Sequence, residues 1–152
     1  NFGGNAVKVP GLDGSGKMGK SEGNCIYLID DEKTLRKKVM RAVTDQGPQE
    51  TNSTPSQPIE NLFTLLDLVS EPETATHFRQ AYADCSIRYG DLKKQLAEDI
   101  LKTTLPIRQR ILDIRDNDEY LSRVVREGAE LTREYASKTL QEVREIMGIR
   151  RF

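Results

Sequence analysis

The stretch Pro58-Ile59-Glu60-Asn61-Leu62-Phe63-Thr64-Leu65-Leu66-Asp67-Leu68-Val69 sets the fold class. Proline suits a first helical turn, and the seven apolar residues that follow lie nearly all round a 3.6-residue helix, so this segment is expected to be the central, most buried helix of a bundle. Directly after it, Ser70-Glu71-Pro72-Glu73 has the form of a capping box with proline in the first turn. A new helix is therefore expected, with Ala75, Phe78, Tyr82 and Cys85 on one face.

Further along, Gly90 is expected to end the connection. Leu92, Leu96, Ile100, Thr104, Ile107, Ile111 and Ile114 then keep one face through Pro106, which predicts a single long helix kinked at that proline. Asn117 or Asp118 can start the last section. Its stripe of Leu121, Val124, Val125, Thr132, Tyr135, Thr139, Val143 and Ile146 is expected to break at Gly128 and stop at Gly148.

Upstream of the central helix, residues 44–57 carry Gly47, Pro48 and Pro55 among polar residues, a linker long enough to suggest mobility or function. Before it, Asp30 or Asp31 can cap a helix whose Leu35, Val39, Ala42 and Val43 fall at i, i+4, i+7 and i+8. Its other side holds Lys33, Arg36, Lys37, Lys38 and Arg41. Among these, Lys33, Lys37 and Arg41 align at i, i+4, i+8, and that row reads either as a solvated face or as a face turned to phosphate. Ile26 to Ile29 is too short to assign, and residues 1–24 read as a glycine-rich loop. The result is an all-α bundle of five to six helices preceded by a loop segment, with residues 1–29 and 30–152 as its two parts.

Composition narrows the function. With 36% apolar and 31% charged residues the chain is a folding globular sequence, and 23 basic against 24 acidic residues exclude a nonspecific polycation. No apolar run approaches the ~20 residues a bilayer requires. Cys25 and Cys85 lack metal-ligand or C-x-x-C spacing and read as two reduced thiols; the single histidine, His77, reads as an ordinary helix residue. No metal-ligand set is expected.

The most specific feature is Gly11-Leu12-Asp13-Gly14-Ser15-Gly16-Lys17-Met18-Gly19-Lys20-Ser21-Glu22-Gly23-Asn24. Two lysines three apart, a small residue between them and a hydroxyl after them can wrap a polyphosphate and neutralise charge moving toward a leaving pyrophosphate. Gly11 to Lys17 also fits a P-loop, but Met18 stands where a Mg²⁺-holding hydroxyl is needed, and Gly19 and Gly23 interrupt the helix that should follow.

Lys17-Met18-Gly19-Lys20-Ser21 resembles the Lys-Met-Ser-Lys-Ser signature of class I aminoacyl-tRNA synthetases. Residues 37–45, Gly90 to Lys94 and Pro106 to Arg110 extend the likeness to the tryptophanyl-tRNA synthetases of bacterial type, over roughly Val9 to Ile149; the tyrosyl-tRNA synthetases rank second. The resemblance implies that Lys17 and Lys20 are catalytic and bind the ATP phosphates with Met18, Gly19 and Ser21. It also implies ATP with Mg²⁺ as cofactors, tryptophan and tRNA(Trp) as partners, a homodimer and no DNA partner; with no apolar span or N-terminal signal pattern, a cytoplasmic location is the expectation. Gly19 departs from the signature serine and removes one hydroxyl donor, a loss on the order of 1 kcal/mol.

RNA-binding candidates from charge alone are Lys93, Lys94, Arg108, Arg110, Arg123 and Arg126. A free-standing RNA-binding helical module is the alternative. The His-Ile-Gly-His signature and the nucleotide fold of such enzymes are not found between Asn1 and Phe152. The chain is therefore expected to be the C-terminal part of a longer enzyme and inactive alone, since its lysines have nothing to be positioned against.

Overall fold

The computed structural model describes residues 8–149, and among these all regular structure is helical: α1 (Glu32–Met40), α2 (Gln57–Val69), α3 (Pro72–Ala83), α4 (Tyr89–Arg115) and α5 (Asp118–Ile146). The all-α expectation holds. Packing divides the chain between Arg108 and Gln109 into two compact units.

The first unit holds the core. α2 contributes Ile59, Leu62, Phe63, Leu65 and Leu66 to it, as its all-round apolar lettering requires. α1 adds Leu35, Val39 and the following Ala42, α3 adds Ala75 and Tyr82, and α4 adds Leu92, Leu96, Ala97, Ile100 and Leu101. Phe63 and Tyr82 meet edge to face at 6.0 Å, and the Arg79 guanidinium lies 4.8 Å from the Phe63 ring. Leu12 also lies in this core, with Met18 and Ile26 packed against it. The loop segment and the helices thus share one hydrophobic centre, and no packing boundary separates residues 29 and 30.

Local chemistry explains the helix starts. Asp31 caps α1 by accepting from Thr34 N–H at 2.7 Å, and Asn117 caps α5 by accepting from Tyr120 N–H at 2.9 Å. The capping box read at Ser70 does not form. Ser70 instead closes α2, donating its N–H to Leu66 C=O at 2.8 Å, and Glu71 takes the N-cap of α3 with Pro72 following. Cys85 lies past α3 in a left-handed conformation (φ 57°) and is exposed, so it does not continue the buried face.

Two glycines behave differently from expectation. Gly90 lies inside the first turn of α4, and α5 runs through Gly128 unbroken, with Thr132 Oγ1 donating to Gly128 C=O at 2.7 Å. A helical glycine costs only ~1 kcal/mol, which neighbouring residues can carry. Gly148, at φ 68°, follows the end of α5 as expected. α4 likewise continues through Pro106 as one helix.

The connection 44–57 is anchored within the first unit. Asp45 accepts from Ser56 Oγ, from Tyr89 OH at 2.5 Å and from Gly47 N–H at 2.8 Å, while Asn52 N–H reaches Ala83 C=O at 2.9 Å. Burial alone would raise the Asp45 carboxyl; the bonds from Ser56, Tyr89 and Gly47 outweigh it and hold the group below its usual range. Burial and the Asp45 charge push the Tyr89 phenol up.

The second unit comprises the end of α4 and α5. None of the α5 residues is buried, and Val125, Leu131, Tyr135, Ile146 and Met147 are more than half exposed.

Candidate functional site

The glycine-rich loop is built around one side chain. Asn24 is only 5% exposed, and its amide nitrogen shares two N–H groups among Asp13 Oδ1 at 3.0 Å, Ser15 Oγ at 2.9 Å and Lys17 C=O at 3.1 Å. Its amide oxygen accepts from Gly19 N–H at 2.8 Å. The backbone on either side of Met18 is thereby tied to a single residue.

Asp13 closes the knot, accepting from Ser15 Oγ at 2.6 Å and from Ser15 N–H at 3.0 Å. Those bonds, first from the Ser15 hydroxyl, then from its N–H and from Asn24, hold the Asp13 carboxyl below its usual range. Gly11 sits against the same group: a Cβ there would come within 2.4 Å of Asn24 Nδ2 and 2.5 Å of both Asp13 Oδ1 and Ser15 Oγ. Only glycine fits.

The knot is fixed to the rest of the first unit at four points. Asn61 on α2 donates to Ser15 C=O at 2.8 Å, Leu12 C=O accepts from Val43 N–H at 2.8 Å just beyond α1, and Leu12 itself is in the core. Met18 is the fourth hold, with its N–H on Val9 C=O at 2.9 Å and its side chain against the core.

On this base stand the residues singled out from sequence. Lys17 and Lys20 flank Met18 and Gly19, both are exposed, and no ion pair among the described residues involves either. Glu22 N–H bonds Gly19 C=O at 3.2 Å, which sets Lys20 and Ser21 at the tip of a turn. Ser21 Oγ lies 3.4 Å from Glu22 Oε1, a weak contact that a better acceptor would displace. Two ammonium groups and a hydroxyl are thus presented to solvent from a pinned backbone, an arrangement suited to an extended oligophosphate anion.

The basic candidates on α4 and α5 separate. Lys93 must be corrected: it is 9% exposed and donates Nζ to Ala42 C=O at 2.7 Å, inside the first unit. Burial lowers its pKa, and it is a structural donor rather than an RNA-facing charge. Lys94 is exposed, 3.7 Å from Asp91. Arg108 turns its Nε to Ile29 C=O at 3.2 Å. In the second unit Arg110, Arg123 and Arg126 are exposed, with the Arg123 guanidinium 5.5 Å from the Tyr120 ring.

Sequence reading underrated Asn24, Asp13 and Asn61. Their weight lies in what they hold, and the partners of Asn61 and Asn24 are set by the fold. The one available signal was the Gly23-Asn24 pair after the lysines.

The family model described as "tRNA synthetases class I (W and Y)" matches residues 6–104. The chain is 63% identical over 148 residues to the tryptophan–tRNA ligase of Porphyromonas gingivalis, covering 97% of this chain and 45% of that protein. It is 40% identical to the tryptophan–tRNA ligase of Streptococcus pneumoniae, at 97% and 44% coverage. The crystal structure of Campylobacter jejuni tryptophanyl-tRNA synthetase complexed with ADP and tryptophan superposes with a TM-score of 0.76 at 26% identity, over 95% of this chain and 44% of that one. The chain thus spans less than half the length of the curated relatives it matches, and those relatives are tryptophan enzymes, so the tyrosyl alternative is set aside. On the family match over residues 6–104 and the 63% identical relative, the chain belongs to the class I tRNA synthetases of the tryptophan and tyrosine group.

Proposed function

We propose that this chain supplies the phosphate-gripping loop and the tRNA-binding helices of a tryptophan–tRNA ligase, which activates tryptophan with ATP and transfers it to tRNA(Trp). The observation that carries the reading is the Asn24 knot. It pins the backbone around Met18 while leaving the Lys17 and Lys20 ammonium groups exposed and without an ion pair among the described residues.

On this reading residues 1–29 bring the loop and 30–152 the RNA-binding part. Lys17 and Lys20 hold the ATP phosphate tail and neutralise charge as it moves toward pyrophosphate, and Ser21 adds a donor. Met18 and Gly19 contribute position: one packs on the core, the other gives its N–H to Asn24. Mg²⁺ bound to the ATP phosphates would offset part of their charge. Lys94, Arg108, Arg110, Arg123 and Arg126 are the candidate tRNA contacts, with Lys93 withdrawn from that set. A homodimeric ligase, a cytoplasmic location and inactivity of this chain by itself belong to the same proposal.

The test is tryptophan-dependent exchange of pyrophosphate into ATP by the ligase that contains this chain. Lys17→Ala and Lys20→Ala should each lower kcat by about 10²–10³-fold, the scale of losing one charge-stabilising donor, with little change in the KM for tryptophan. Exchange within twofold of the parent in either variant overturns the reading.

A further inference from the structure

α1 and its C-cap residue Arg41 carry five cations, and the structure sorts them. At about 100° per residue, Leu35, Val39 and Ala42 mark the buried side, with Arg36 and Lys38 at its two edges. Both edge residues are neutralised from within: Arg36 by Glu32 and by Glu98 of α4, Lys38 by Asp30 at 2.5 Å. Lys33, Lys37 and Arg41 lie roughly opposite the core. All three are exposed, and no ion pair among the described residues involves them. Asp31, whose carboxylate feels the field of Lys33, already accepts from Thr34 N–H as the helix cap.

This row is costly to keep. Like charges at i and i+4 repel by about 0.2–0.5 kcal/mol per pair, in a chain that has 24 acidic residues with which to screen them. Neighbouring Cβ atoms in such a row are about 5–6 Å apart, a spacing that lets long side chains reach successive phosphates of one nucleic-acid strand. The segment that carries the row is tied to the loop: shortly after Arg41, Val43 N–H bonds Leu12 C=O at 2.8 Å.

We infer that Lys33, Lys37 and Arg41 form a phosphate-contacting rail for the tRNA backbone, separate from the candidates on α4 and α5. The inference rests on the ligase reading above. The rail reads no bases; it adds sequence-independent affinity and orients the RNA beside the loop.

The experiment measures tRNA(Trp) transcript binding to the whole ligase between about 50 and 200 mM salt. The variants are the triple Lys33→Gln, Lys37→Gln, Arg41→Gln and, as a control, Arg36→Gln, whose charge is already paired; unfolding midpoints confirm that each is folded. Each lost phosphate contact removes about 0.7–0.9 from the slope of log affinity against log salt, so the triple variant should lose about 2–3 while the control keeps the parent slope. An unchanged slope in the triple variant overturns the rail, as does an equal loss in the control. Failure of the ligase reading looks different, because the parent protein would then show neither tryptophan-dependent pyrophosphate exchange nor tRNA(Trp) binding.

Discussion

α2 and α5 are both written with a continuous apolar face, broader in α2, yet α2 buries six residues and α5 buries none. The difference shows what apolar periodicity can report. It fixes which face of a helix is offered, because side chains three and four apart must share a side. Whether anything accepts that face depends on residues far away in sequence. In α2 the acceptors are Leu35, Tyr82, Leu92 and Leu96, each on another element; on α5, Leu131, Tyr135 and Val143 stay exposed. The loop repeats the contrast at smaller scale, with Asn24 and Met18 held on the core side and Lys17, Lys20 and Ser21 left open on the other.

The sharpest way to break that contrast is to truncate one side chain from each helix. Phe63→Ala removes a fully buried ring together with its edge contact to Tyr82 and the Arg79 guanidinium above it, and should cost about 3–5 kcal/mol. Leu131→Ala, on the exposed face of α5, should change stability by no more than about 0.5 kcal/mol. Urea midpoints of the polypeptide, compared at equal slope, check both. A cost above about 2 kcal/mol for Leu131→Ala would mean that the face is covered in solution.

Asn24→Ala tests the held side of the loop. It leaves Gly19 N–H and Lys17 C=O without their side-chain partner and opens a gap beside Gly11, for about 2–3 kcal/mol. The loss should appear first as faster amide exchange at Gly19 and across the loop, with α3 still protected. Protection unchanged at Gly19 would show that the knot does not hold the loop.

What could be read from sequence follows the range of the interactions. Asp31 and Asn117 were visible as caps because their partners lie three residues away, and α2 was visible because apolar residues occupy most of its circumference. The two lysines could be singled out because the pattern that marks them is local to one motif. Lys93 was misread, since its partner Ala42 is brought to it only by packing α4 against the end of α1. Ser70 was misread because its backbone is taken up in ending α2, and Gly128 because a helix can carry one glycine at modest cost. Asn24 falls between these cases: the residue was noticed, but four bonds to atoms between five and eleven positions away could not be inferred from it.

The smallest expected effect tests the open side of the loop. Gly19 has no positive φ, so its backbone conformation does not require glycine, and a Cβ would meet Glu22 Cγ at 3.1 Å, within reach of a flexible side chain that can move. Gly19→Ser should therefore fit. It narrows the unfolded ensemble, for a gain of about 0.4–1 kcal/mol, and puts a hydroxyl between the two lysines. If the tip of the loop grips a phosphate tail, that donor is worth on the order of 1 kcal/mol, or up to about fivefold in pyrophosphate exchange by the ligase. A fall of more than threefold would instead mean that the tip of the loop must bend beyond what serine tolerates. The knot beneath it would then be a hinge for the two lysines rather than a fixed seat.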